Sequence, residues 1–255
     1  MDHTQKGNPA SKSLVGKVAV VIGGGRGIGR ATALKLASSG ARVIVAARTA
    51  LELEDVVAEI EVNNGQATAH SLDVTQVAEV EAFVTDLRDK IEHVDVLVNC
   101  AGVALIAPLD TTSEADWDRV IDTNLKGTFL CTRTMLDLLR ASESALIVNI
   151  ASKVGLTGHA MVTAYTAAKA GVIGFSRALA QELSAENIRV VAICPGPVDT
   201  PMRWKATPKI DPKLVISAET VAETILFLAT LNGHTTTSEI VLEAIVYDES
   251  AVPLD

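Results

Sequence analysis

Two kinds of segment alternate along this 255-residue chain, and the alternation limits its fold more than any single motif does. Short apolar runs rich in β-branched residues occur at Val18–Ile22, Arg42–Ala47, Gln66–His70, Val94–Val98, Ala145–Ile150, Arg189–Ile193 and Glu239–Leu242. Stretches with helical periodicity lie between them, at Gly27–Ser39, Ala50–Asn63, Gln76–Ile91, Ser113–Ala141, Thr163–Ser184 and Ala218–Leu231. Such an order predicts a mostly parallel sheet with helices on both faces. Right-handed crossovers make it a doubly wound, Rossmann-like α/β fold of three layers. Aromatic residues are only 3% of the chain, so Val, Ile, Leu and Ala must build the core, as parallel strands covered on both sides require. No Pro-, Gly- or Ser-rich linker divides the sequence. The expectation is a single domain over residues 14–247, with a flexible arm at 1–13 and a frayed acidic tail at 248–255.

Charge and cysteine usage narrow the function classes. The formal net charge is −9 with no offsetting basic block, which argues against nucleic acid as a partner. The first thirteen residues are polar, unlike a secretory leader, and no run of about 20 apolar residues is present to span a membrane. Cys100, Cys131 and Cys194 are odd in number and far apart, and read as free thiols of a reducing, cytoplasmic setting. The five histidines lack metal-ligand spacing, so no metal site is expected.

The first strand runs into Gly23-Gly24-Gly25-Arg26-Gly27-Ile28-Gly29, and a helix follows. Glycines there permit a tight turn and close approach of a pyrophosphate, while the helix N-terminus offers free N–H groups and partial positive charge. Gly23, Gly25, Arg26, Gly27, Ile28 and Gly29 are therefore candidate dinucleotide contacts. The second strand ends in Ala46-Ala47-Arg48. A site for NAD wants an acid here to hold the ribose 2′-hydroxyl. No carboxylate stands at this strand end, and Arg48, helped by Arg26, can grip a 2′-phosphate in bidentate fashion. NADP is expected over NAD.

Tyr165-Thr166-Ala167-Ala168-Lys169 falls early in a predicted helix, which puts Tyr165 and Lys169 on one face. A free phenol ionises near pH 10 and is a poor proton-transfer group at neutrality, but a nearby ammonium favours its phenolate. Ser152 follows the strand Ala145–Ile150, at the sheet end where ligands bind in such folds. Its hydroxyl can hold a carbonyl oxygen against the tyrosine.

Taken in order and spacing, the glycine loop, Asp73-Val74, Asn99-Cys100-Ala101-Gly102, Asn124-Leu125-Lys126-Gly127, Ser152, Tyr165/Lys169 and Pro195-Gly196-Pro197-Val198-Asp199-Thr200 make the chain resemble the short-chain dehydrogenase/reductase family. The resemblance runs from Lys17 to about Leu242, and the chain is similar to 3-oxoacyl carrier-protein reductases or broad carbonyl reductases. It implies Tyr165 as general acid and base, Ser152 as the carbonyl-polarising group, and Lys169 as the residue that lowers the tyrosine pKa and holds the nicotinamide ribose. It implies Asn124 as holder of a relay water. Asp73 and Val74 would line the adenine pocket, Asn99, Ala101 and Gly102 the wall beside the cofactor, and Pro195, Gly196, Val198 and Thr200 the nicotinamide and pyrophosphate end. Plainer readings stay open for three of these: Asp73 as a helix cap, Asn99 as a bridge between strands, Asn124 as a residue bonded to its own helix.

The chain departs from the family pattern at several points. Ile22 replaces Thr before the loop, Cys100 replaces a second Asn, and Ala151 replaces a second Ser. Leu242-Glu243-Ala244-Ile245 stands where the family has V-D-G-G. Between Met202 and Ser217 only a short segment replaces the usual lid. It holds Arg203, Lys205, Lys209 and Lys213 against one acid, Asp211. It reads as a solvated loop, with a patch for an anionic substrate or acyl carrier as the competing reading. Ser152, Val154, Leu156, His159, Met161, Val162 and Tyr165 are expected to line the substrate pocket opposite Pro197, and their apolar majority suits a hydrophobic ketone or 3-oxoacyl chain. The leading expectation is an NADP-dependent ketoreductase. The alternatives are an NAD(P)-dependent alcohol or sugar dehydrogenase working oxidatively, and a non-catalytic cofactor-binding regulatory protein, which the intact Asn124, Ser152, Tyr165 and Lys169 argue against. The resemblance also implies a homodimer or homotetramer, formed through the two long helices Ser113–Ala141 and Thr163–Ser184.

Overall fold

The computed structural model describes residues 14–231 and 235–245. The expected arm at 1–13 and tail at 248–255 lie outside the described residues. Seven strands, β1 (Val18–Ile22), β2 (Arg42–Ala47), β3 (Gln66–Ser71), β4 (Val96–Asn99), β5 (Ala145–Ile150), β6 (Ile188–Pro195) and β7 (Glu239–Leu242), form one sheet in the order β3-β2-β1-β4-β5-β6-β7. Every neighbouring pair is parallel. The order reverses between β1 and β4, and at such a point the crossovers leave a crevice outside the carboxyl ends of the strands.

Strand alternation divides the core in two. Ala19 and Val21 of β1 join one buried cluster with Leu36 of α1 (Gly27–Ser38) and Ile225 of α9 (Ala218–Thr230). Val18, Val20 and Ile22 join the other, with Phe83 of α3 (Val77–Arg88) and Met135 of α5 (Gly127–Arg140). Nearly every residue of β1, β4, β5 and β6 is buried, as strands covered on both faces demand. The remaining helices are α2 (Ala50–Val62), α4 (Glu114–Ile121), α6 (Val154–Thr157), α7 (Thr163–Glu182) and α8 (Pro201–Ala206). Among the described residues, no helix is long and apolar enough to cross a membrane.

Three expectations about elements need correction. The helix expected over Ser113–Ala141 is α4 and α5 joined by a π-helical segment, Asp122–Lys126. The strand expected from Val94 begins at Val96, because the Val94 N–H donates to Leu138 and the Asp95 carboxylate turns inward to accept from the Val18 N–H at 2.8 Å. The Met202–Ser217 segment is not a plain loop: α8 and a 3₁₀ turn, Pro212–Leu214, fold within it.

Candidate active site

A crevice at the carboxyl ends of the strands collects loops from six of them. Its floor starts at the glycine turn after β1. The Gly23 N–H donates to Ala46 O at 2.7 Å, which pins the turn to β2. Gly23 has φ +81°, and a Cβ there would stand 2.6 Å from Ala101 N, so only a glycine lets the two loops touch. Gly23, Gly25, Arg26, Gly27 and Ile28 line the crevice, followed by Arg48, Asp73 and Val74, and Ala101 and Gly102. Asn124, Ser152, Val154, His159, Tyr165, Lys169, Pro195, Gly196, Pro197, Val198 and Thr200 complete the expected residues brought to it.

Some expected residues do other work. Asn99 is not on the crevice wall. Its buried amide donates to Thr132 Oγ1 and to Asn149 Oδ1, tying β4 to α5 and β5. Gly29 lies beneath the wall, where its missing Cβ lets α1 approach the Gly23 carbonyl. Leu156 is exposed, and Met161 adopts a left-handed backbone (φ +66°) whose carbonyl accepts from the Ala107 N–H; neither lines the pocket. Asp73 faces the crevice, but its Oδ1 accepts from the Thr75 N–H and hydroxyl in a turn ahead of α3, whose cap is Gln76.

Asn124 sits in the π-helical segment, an irregularity often found at functional sites. Its amide donates to Val120 O and Val103 O, both at 2.9 Å. Its Oδ1 is buried without a hydrogen-bond partner among the described residues. A Cβ on Gly102 would fall 2.7 Å from that oxygen and 3.7 Å from Lys169 Nζ, so the two polar groups flank one glycine.

Ser152, Tyr165 and Lys169 meet on one wall. Lys169 Nζ donates to Ile150 O at 2.7 Å and lies 5.6 Å from the centre of the Tyr165 ring. Burial pulls the Lys169 ammonium down to about 8. Burial pushes the Tyr165 phenol up to about 12, and the Ser152 hydroxyl and the Arg203 charge act against that rise. Lys169 is not among the groups that draw the phenol down. These shifts have opposite linkage signs. Tyr165 favours the fold below its ordinary pH 10 and loses that contribution between 10 and about 12. The buried Lys169 charge opposes the fold below about 8, and the opposition is relieved as pH rises towards 10.5. The sequence contains two tyrosines, so an absorbance titration of the protein minus its Tyr165→Phe variant isolates this phenol. The difference should show no ionisation near pH 10; a phenolate signal there would contradict the buried setting.

The structure adds residues to those expected. Glu52, on the first turn of α2, enters the corner beside Arg48 and pairs with Arg26 at 3.5 Å. A carboxylate is therefore present in this corner, five residues beyond the end of β2 at Ala47. Its first-turn position in the expected helix was the only hint in the sequence. Ala104 and Ile106 of the β4–α4 connection and Met202 and Arg203 of α8 form part of the lining. Lys153 pairs with Glu243, and the Gly196 N–H donates to Leu242 O at 2.8 Å. The chain after β7, despite lacking V-D-G-G, thus braces the loops around Ser152 and Pro197. Cys100 also lines the crevice, with its thiol pushed up to about 11 by burial, which leaves it a weak nucleophile.

Comparison with known proteins agrees with this geometry. The short chain dehydrogenase family profile matches residues 17–211. A 3-oxoacyl-(acyl-carrier-protein) reductase of Synechocystis sp. is 40% identical over 224 residues, covering 86% of this chain and 91% of that protein. A hydroxy(phenyl)methylsuccinyl-CoA dehydrogenase subunit of Thauera aromatica is 37% identical, covering 84% and 89%. A metagenomic short-chain oxidoreductase solved in complex with NADP superposes with a TM-score of 0.79 at 35% identity, covering 91% and 98%. The chain belongs to the short-chain dehydrogenase/reductase family, as an NAD(P)-dependent oxidoreductase acting on CH–OH and C=O groups.

Proposed function

We propose that this protein is an NADP-dependent reductase that converts a ketone or 3-oxoacyl group into an alcohol, with Tyr165 as its proton donor. The observation that carries the reading is the convergence of Ser152, Tyr165 and Lys169 on a wall continuous with the glycine turn and a basic corner. The residues fit a nicotinamide dinucleotide. Gly23 leaves a cradle that a Cβ would fill, and the N-terminus of α1 beside it would receive the phosphates. Arg48 and Arg26 favour the 2′-phosphate form, and a neighbour of this fold was solved with NADP. When bound, this group supplies the hydride.

The chain's own residues handle the proton and the carbonyl. The Ser152 hydroxyl donates a hydrogen bond to the carbonyl oxygen and orients it. The Tyr165 Oη–H gives its proton to that oxygen as negative charge develops there. Lys169, fixed by its bond to Ile150 O, would hold the nicotinamide ribose and returns a proton to the Tyr165 phenolate. Asn124 Oδ1 accepts from a water that links Lys169 to solvent. The dehydrogenase name of the Thauera relative supports the same residues working in reverse, with the Tyr165 phenolate taking the alcohol proton.

NADPH oxidation measured against a panel of ketones and 3-oxoacyl thioesters, and NADP reduction against the matching alcohols, tests the reading. Failure of every substrate in both directions would overturn it. Cofactor choice has its own test. Arg48→Ala should raise the KM for NADPH by about tenfold or more and leave that for NADH little changed. Glu52→Gln should tighten NADPH binding by about threefold, because Arg26 is released from its carboxylate. Equal effects on both cofactors would remove the basic corner from the assignment. A homodimer or homotetramer fits the same reading: Phe129 of α5 is 40% exposed, packs edge-on against Phe175 of α7, and lies beneath Arg133. Sedimentation velocity reads that assembly.

A further inference from the structure

We propose that Arg203 anchors a carboxylate of the substrate, so that the compound reduced is an oxo acid whose acid group is free. The inference rests on the reductase reading of the same crevice and names the substrate class within it.

The argument starts from α8. Thr200 caps this helix by accepting from the Arg203 N–H at 3.2 Å, and Pro201 starts it. The Trp204 indole N–H donates to Asp199 Oδ1 at 2.6 Å, which fixes the rotation of the turn. Arg203 on this helix lines the crevice that holds Ser152 and Tyr165, while its Nε and Nη2 are enclosed by protein. Lys205, Lys209 and Lys213, from the same basic run, remain exposed. The solvated-loop reading therefore holds for those three and fails for Arg203.

The surroundings define what Arg203 would read. Ile106, Val154, Val162 and Met202 make much of this end of the crevice apolar. Charge interactions strengthen where water is scarce. A guanidinium is permanently charged and gives a carboxylate charge-assisted hydrogen bonds, which are stronger than neutral ones. Its charge reaches the reacting end of the crevice, because it favours the Tyr165 phenolate. A substrate anion placed on Arg203 would also oppose that effect, keeping the phenol protonated for reduction. Position, burial and charge thus point to an acid group on the same skeleton as the reacting carbonyl, within reach of both Ser152 and α8.

The test compares 4-oxopentanoate, 5-oxohexanoate and 6-oxoheptanoate with their methyl esters, in the wild type and in Arg203→Met and Arg203→Lys. In the wild type, at least one acid should exceed its ester in kcat/KM by about tenfold. Arg203→Met should lower that acid by about 10²-fold and its ester far less, so that the acid-to-ester preference falls by about tenfold or more. Arg203→Lys should recover part of the loss. Affinity for NADPH, read by fluorescence titration, should be unchanged, which also shows that the variants are folded. Loss of NADPH affinity with unchanged acid-to-ester preference would place Arg203 on the cofactor and overturn the inference, as would equal turnover of acid and ester by both proteins. If no ketone turns over, the reductase reading falls, and the binding arm still decides: the hydroxy acids must raise the melting temperature of the wild type with NADP, and not that of Arg203→Met. Absence of that difference also overturns the inference.

Discussion

Tyr165→Phe is expected to lower kcat by about 10³-fold or more while leaving NADPH affinity within about twofold. The phenyl ring keeps the packing and removes the one hydroxyl that can pass a proton to the carbonyl oxygen. Cofactor affinity is spared because the glycine turn and the basic corner lie on other loops. The pH profiles should separate the two directions. Reduction needs the phenol protonated, and the setting of Tyr165 pushes it up to about 12 in the free protein. Reduction should therefore hold its rate through neutral pH and fall only as the phenol ionises in the loaded enzyme. Oxidation needs the phenolate and should rise over the same interval. Both limbs should vanish from the residual activity of the variant. Steady-state rates across pH, with NADPH binding by fluorescence, measure this, and a fully active variant would end the assignment of Tyr165.

The parts of this site that were legible in the sequence are those fixed by local rules. Seven β-branched runs bounded by helical periodicity led to the seven strands, and β1, β2, β5 and β7 have the expected bounds. The glycine turn could be located because only glycine permits such a strand-to-helix approach. The Tyr165–Lys169 spacing is a property of a helix face. What stayed hidden depends on side-chain direction in three dimensions. The π-helical segment at Asn124 leaves no mark on hydrophobic periodicity, which resumes on both sides; its signature is the backbone bond from the Gly127 N–H to Asp122 O, five residues back. Arg203 and Lys205 look alike in a basic run, and only the rotation of α8 sends one inward. Glu52 reads as an ordinary first-turn acid until the fold sets it against Gly25 and Arg26. Asn99 shows the reverse case. Its place in a recognisable motif implied a cofactor contact, yet its amide joins Thr132 and Asn149 in the core.

Gly29→Ala should be the most damaging glycine-to-alanine change among the described residues. An added Cβ would stand 2.1 Å from the Gly23 carbonyl oxygen and 2.8 Å from its carbon, far inside contact distance. Neither side can yield without loss. Gly23 is held by its bond to Ala46 O, and the space beyond it is filled by Ala101. Gly29 belongs to the first turn of α1, whose Ala33 and Leu36 are buried in the core. The loop and the helix must therefore separate, and the N–H groups at the start of α1 move away from the crevice. Those groups are the phosphate-binding part of such a turn. NADPH affinity should fall by about 10²-fold or more, because several charge-assisted hydrogen bonds are lost together. Overpacking of this kind destabilises by about 1–3 kcal/mol, which in a chain of this size lowers Tm by roughly 3–10 °C. Circular dichroism melting and fluorescence titration read the two effects separately. A variant with reduced Tm and wild-type NADPH affinity would mean that the phosphates bind elsewhere than at this turn, even with the fold intact.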